Sequence, residues 1–252
     1  MKYARVKTSG GARYAELRGD EALLLDGAPW AQAKHTGESV PLDPAALLPP
    51  SEASKVVAVG QNYKKHAAEM GKPVPPEPLI FTKPSTALNG HLSPILLPPE
   101  SNEVHHEAEL AVVIGKRLSR VSEDEARAAV FAVTCFNDVT ARDIQKRETQ
   151  HTRAKGYDTF ACVGPWMVTG LDYSNLRVQG RVNGATKQDG SSSDMIFPVP
   201  VLVSFISRIM TLLPGDIITT GTPSGVGPIR DGETVEVEIE GVGVLKNPVK
   251  RA

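Results

Sequence analysis

Apolar residues in this chain come mostly in short runs that stop at glycine or proline. Val56 to Val59, ended by Gly60, and Glu109 to Ile114, closed by Gly115, are continuous enough to predict buried strands. Residues 79–82, 166–169, 177–182, 217–220, 234–239 and 242–245 complete a set of short strands. Asn183 and Gly184 both tolerate positive φ, which predicts a hairpin after 177–182. Earlier, residues 2–8, 13–17 and 22–25 predict three more strands, with turns at Ser9-Gly10-Gly11 and Arg18-Gly19-Asp20. Pro41, Pro44, Pro49 and Pro50 then predict an extended linker. The chain divides there into a small β-rich module, 1–51, and a larger domain, 52–252.

Helical spacing is rare. Ser122 to Glu125 is a capping box, ahead of an Ala-rich stretch predicted to stay helical to about Thr134. Leu202, Phe205, Ile206, Ile209 and Met210 form a helical stripe within 201–213, stopped by Pro214-Gly215. A short helix over 63–70 has Asn62 as N-cap and Gly71 just past its end. The expected fold class is mainly β with some α, an α+β architecture.

Composition narrows the function. The 22 Gly, 20 Pro and 5% aromatic residues in 252 point to turns and short strands and argue against a helical bundle. A net charge of -1 gives no global field for nucleic acid or an anionic membrane. The cysteines, Cys135 and Cys162, make neither a disulfide framework nor a zinc knuckle. The apolar runs are too short to span a bilayer, and the first residues lack the core of a signal peptide, so a cytoplasmic protein is expected. P-loop, dinucleotide-binding, zincin and serine-hydrolase motifs are absent.

Four segments carry candidate chemistry. Glu107 and Glu109 flank Ala108 just before the strand 109–114, and strand side chains at i and i+2 share a face. Such like charges repel, and a cation relieves this; a solvated edge carries the same pattern. Asp138 could complete an oxygen-only site, suited to Mg²⁺, Mn²⁺ or Ca²⁺. Arg142 and Gln145 follow it. Lys155 precedes Gly156 and the small and apolar residues 160–163; partly buried, it could bind an anion or move a proton. His66 and Glu69 lie three apart, so a helix would let the carboxylate orient the imidazole as a general base; a surface pair has the same spacing.

Taken in order, the motifs resemble the fumarylacetoacetate hydrolase family from about Lys55 to the C-terminus. They are Val59-Gly60-Gln61-Asn62-Tyr63 with His66 and Glu69, Phe81-Thr82-Lys83-Pro84-Ser85, and His105-His106-Glu107-Ala108-Glu109-Leu110. Asp138-Val139-Thr140-Ala141-Arg142-Asp143, Lys155-Gly156-Tyr157-Asp158-Thr159 and Gly221-Thr222-Pro223-Ser224-Gly225-Val226-Gly227 complete the set. The resemblance implies a mixed β-roll catalytic domain, homodimeric, with Mg²⁺ or Mn²⁺ on Glu107, Glu109 and Asp138. It implies Arg142, Gln145, Lys155 and Thr222 around the substrate, and His66 and Glu69 as the dyad on a mobile lid. The larger hydrolases carry a fourth carboxylate where this chain has Val59, which points to the smaller 2-oxo acid enzymes.

Three carboxylates leave about three of six positions open on a hard cation. A 2-oxo acid bound there reacts through a metal-stabilised enolate, common to isomerisation, decarboxylation and C–C hydrolysis. The local charge of about -1 calls for further cations around an anionic substrate, Arg142 and Lys155 being the candidates. The expected activity is isomerisation or decarboxylation of an unsaturated 2-oxo dicarboxylic acid from aromatic degradation. Similarity of Gln188-Asp189-Gly190 and of the Lys155 segment to such bacterial members favours it. The alternatives are an acylpyruvate hydrolase, an oxaloacetate decarboxylase, and a metal-stabilised binding protein without turnover. His66, Glu69 and Lys155 together count against the last.

Overall fold

Ala108–Ile114 is apolar at nearly every position because it is covered on both faces. Leu110, Val112 and Ile114 pack with Val178, Val235, Val237 and Leu245, whereas Ala111 and Val113 pack with Phe136, Val163, Met167 and Ile217. The period-2 alternation of a strand divides them in this way. The computed structural model describes residues 1–69, 71 and 73–252; Met70, the last residue of the predicted short helix, lies outside them.

This strand is central in a twelve-stranded sheet. Val130–Asp138 runs antiparallel to it on one side, with Ala108 opposite Asn137 and Glu109 opposite Phe136. Ile217–Thr219 runs antiparallel on the other side, followed by Val56–Gly60, parallel to Ile217–Thr219, and then Leu79–Lys83. Beyond Val130–Asp138 comes Ala161–Val168, and then Lys2–Thr8, Gly11–Arg18, Glu21–Leu25 and His35–Pro41. The N-terminal meander therefore extends the same sheet, through the pairs Lys2 with Val168 and Tyr3 with Met167. A five-stranded sheet faces it, ordered Ala185–Ser191, Arg177–Val182, Thr234–Ile239, Gly243–Arg251 and Ile95–Leu97. The chain is mainly β, as expected.

Three sequence expectations change. The helix capped by Ser122 ends at Arg127, and Val130 to Thr134 is strand. The β-branched and aromatic residues Val130, Phe131, Val133 and Phe136 outweigh the alanines once a partner strand is present. The second helix is Val199–Ile209; past it, Leu212 exchanges backbone hydrogen bonds with Leu118 instead of continuing the turn. The proline-rich stretch is anchored, since Leu47–Leu48 pairs with Arg5 and Val6. The hairpin turn is as expected, with φ of 50° at Asn183 and 78° at Gly184.

Candidate active site

Glu107 follows the short strand Val104–His106, Glu109 lies in Ala108–Ile114, and Asp138 ends Val130–Asp138. Antiparallel pairing of the last two strands brings Asp138 beside the glutamates: Asp138 N donates to Glu107 O at 2.9 Å, and Asn137 Oδ1 accepts from Glu107 N at 3.0 Å. One oxygen from each carboxylate lies within 4.8 Å of the others, and all three residues are buried. Thr219 donates to Glu109 Oε2, and Gly221 N donates to the same atom at 2.8 Å. Gly221 has φ of 92°, and a Cβ there would lie 2.8 Å from that of Asn62, so this loop needs glycine for its close approach.

Three buried cations answer the carboxylates. Arg142, at the start of helix Arg142–Arg147, donates to Glu107 Oε1. Lys155, at the end of Thr152–Lys155, donates to Glu107 Oε2 at 2.9 Å and Asp138 Oδ2 at 2.5 Å. Lys83, at the end of Leu79–Lys83, donates to Asp138 Oδ1. A Cβ on Gly156 would meet Thr152 O at 2.5 Å, so glycine permits the tight exit that leaves Lys155 pointing inward.

The electrostatics follow from this packing. Burial pushes Glu109 well above the usual carboxylate range, and the charges of Asp138 and Glu107 push it further. Burial alone would raise Glu107 as well, but Lys155 and Arg142 outweigh it and hold that carboxyl below its ordinary value. For Lys155, burial opposes the charge, but Asp138 and Glu107 win and the ammonium is held above its ordinary value. Lys83 is lowered, because complete burial outweighs its attraction to Asp138. A divalent cation fits this donor set: three hard oxygen ligands converge, and among the described residues no lysine or arginine hydrogen-bonds Glu109, so a cation would supply the counter-charge that its ionised form lacks.

The predicted residues do come together. One cleft is lined by His66, Glu107, Glu109, Asp138, Arg142, Gln145, Lys155 and Thr222. Gln145 accepts from Arg142 Nη1 at 2.5 Å, one helical turn along. His66, on helix Lys64–Glu69, lies 3.0 Å through Nδ1 from Glu69 Oε2. The carboxylate can only accept, so Nδ1 donates to it, and Nε2 is the ring nitrogen left for acid–base work. Glu69 Oε1 accepts from Gly225 N at 3.0 Å and is tied to the Gly-rich loop.

Sequence reasoning missed Lys83 as a site residue; it entered only inside the motif Phe81 to Ser85. A lysine closing an apolar strand before Pro84 was the available signal. It also missed the cleft walls, Leu79, Phe81 and His151. Lys155 Nζ lies 5.1 Å from the centroid of the Phe81 ring, and the His151 ring meets the same ring edge-on at 5.2 Å.

The family described as fumarylacetoacetate (FAA) hydrolase C-terminal matches residues 55–250, and one described as Rv2993c-like, N-terminal, matches residues 1–50. Protein Rv2993c of Mycobacterium tuberculosis is 46% identical, covering 100% of this chain and 98% of its own. The oxaloacetate tautomerase YisK of Bacillus subtilis is 40% identical over 79% of this chain and 71% of its own. The crystal structure of a 2-hydroxyhepta-2,4-diene-1,7-dioate isomerase from Mycobacterium marinum superposes with a TM-score of 0.92, at 46% identity, covering 100% of this chain and 98% of that one. A full-length relative and a family match across the whole acidic site leave one conclusion: this chain is an enzyme of the fumarylacetoacetate hydrolase family.

Proposed function

We propose that the enzyme moves a proton on a small 2-oxo dicarboxylic acid, as an isomerase or keto–enol tautomerase dependent on Mg²⁺ or Mn²⁺. The observation that carries this reading is the charge balance of the cleft. The three carboxylates Glu107, Glu109 and Asp138 are equalled in number by Lys83, Lys155 and Arg142, whose ion pairs all go to Glu107 and Asp138. With a divalent cation the formal charge is two positive, which complements a dicarboxylate dianion better than a monoacid. The similarity to an oxaloacetate tautomerase and to a heptadienedioate isomerase supports the same substrate class.

In this reading Glu107, Glu109 and Asp138 hold the cation, which supplies Lewis acidity to the substrate oxygens. Arg142 and Gln145 bind a substrate carboxylate. A proton leaves the carbon next to the carbonyl, and its electron pair becomes the carbon–carbon double bond as charge moves to the carbonyl oxygen. The His66 imidazole, oriented by Glu69, accepts such a proton. Lys155, held as an ammonium, stabilises the developing negative charge or returns a proton.

The test is a direct assay with Mg²⁺ of oxaloacetate tautomerisation and of isomerisation of a 2-hydroxyhepta-2,4-diene-1,7-dioate. Turnover of either, abolished by Glu109→Gln, supports the reading; unchanged turnover in that variant overturns it. The His66–Glu69 pair favours one second reading, hydrolysis of an acylpyruvate by an activated water.

A further inference from the structure

Gln188 lies in Ala185–Ser191, on the sheet opposite the carboxylates, and is fully buried. Its amide spans the gap. Oε1 accepts from Ala108 N at 2.8 Å and lies 3.0 Å from His106 Nδ1; Nε2 donates to Pro223 O at 2.7 Å and to Thr222 Oγ1 at 2.6 Å. The two ends of the amide cannot be exchanged. Ala108 N only donates, so it needs the oxygen, and Pro223 O only accepts, so it needs the nitrogen.

That orientation determines what Thr222 offers the cleft. A hydroxyl has one proton and two lone pairs. The Thr222 proton goes to Ala108 O at 2.8 Å. One lone pair is taken by Gln188. One lone pair remains, and Thr222 lines the cleft beside Glu107 and Glu109.

We propose that Gln188 is a positioning residue that commits the Thr222 proton to Ala108 and so makes Thr222 a hydrogen-bond acceptor towards the ligand. The inference rests on the acidic cleft being the substrate site. The ligand class it favours has a donor next to its carboxylate, an enol or 2-hydroxy group, over one that offers only acceptors. The enzyme thereby discriminates the protonated enol oxygen from the bare carbonyl.

The experiment measures binding of malate, which has a 2-hydroxyl donor, and oxalate, which has acceptors only, to the Mg²⁺-loaded protein by calorimetry. Thr222→Val should weaken malate about tenfold, the scale of one hydrogen bond, and leave oxalate within about twofold. Thr222→Ser should restore malate binding. Gln188→Met should show the same ligand selectivity, and the double variant should bind malate within about twofold of Thr222→Val alone. Equal losses for both ligands, a greater loss for oxalate, or multiplying losses overturn the inference. If Gln188→Met does not fold, NMR of the His106 ring in the unaltered chain decides: a proton on Nδ1 is expected, and a proton on Nε2 alone would set two acceptors 3.0 Å apart, contradict the amide orientation and end the argument. Glu109→Gln separates the two levels. If that variant keeps its turnover, the substrate site itself is misassigned; if it loses turnover while ligand selectivity is absent, only the role of Gln188 fails.

Discussion

Lys83 and Lys155 grip opposite oxygens of one carboxylate: Lys83 Nζ donates to Oδ1 of Asp138 and Lys155 Nζ to Oδ2. They arrive from different elements, a sheet edge and a four-residue helix. Lys83 is wholly buried and also donates to Val139 O at 3.1 Å, whereas Lys155 lines the cleft.

This difference predicts a division of labour. Lys155→Ala should cut kcat/KM by ~10²-fold or more, the lower end for a positioned acid–base group. Asp138 keeps Lys83 and Glu107 keeps Arg142, so the fold should survive. Lys83→Met leaves Asp138 with Lys155 alone and also strips Val139 O of a buried donor, and should cost about 1–3 kcal/mol in denaturant unfolding. Similar stability losses in both variants would refute the division.

Glu109 predicts opposite effects on binding and stability. Its carboxyl is raised by burial and by its two acidic neighbours, so ionising it costs free energy without a cation. Glu109→Gln should abolish Mg²⁺ and Mn²⁺ binding by calorimetry. In EDTA the same variant should melt a few degrees above the parent, about 2–4 °C for each kcal/mol in a chain of this size. EDTA should abolish turnover of the parent, and Mg²⁺ or Mn²⁺ should restore it. A lower melting temperature for the variant in EDTA would contradict the argument.

His66→Ala should separate the reaction types. Hydrolysis needs an activated water, and the His66–Glu69 pair offers the cleft an imidazole oriented by a carboxylate. Any acylpyruvate hydrolysis should fall far more than any oxaloacetate decarboxylation, which relies mainly on an electron sink. Equal losses would make the pair a static support.

The N-terminal meander should prove inseparable from the rest. Removing residues 1–50 would uncover the edge of Ala161–Val168 where Lys2 and Tyr3 now pair, and open strand edges recruit other chains. It would also strip Tyr3, Tyr14 and Trp30 from the cluster around Val113, Phe136 and Met167. The truncated chain should aggregate in sedimentation experiments; a soluble monomer would show the meander to be an independent add-on.

Much of the site was legible because its carboxylates and its strand are written locally. The unbroken apolar run after Glu109 signals a strand covered on both faces, and E-x-E before it signals two carboxylates turned the same way. Asn183-Gly184 likewise carries its own turn, since φ preference belongs to single residues. What the tertiary structure decided depends on partners far along the chain. Val130 to Thr134 became strand because Ala108–Ile114 and Ala161–Val168 supply its ladder. Lys83 reaches Asp138 across 55 residues, and Gln188 reaches Ala108 across 80. A short window cannot register either, because a buried lysine or glutamine has the same composition as an exposed one. Only the packing of strands and sheets shows which charge must be neutralised and which hydroxyl has already given up its proton.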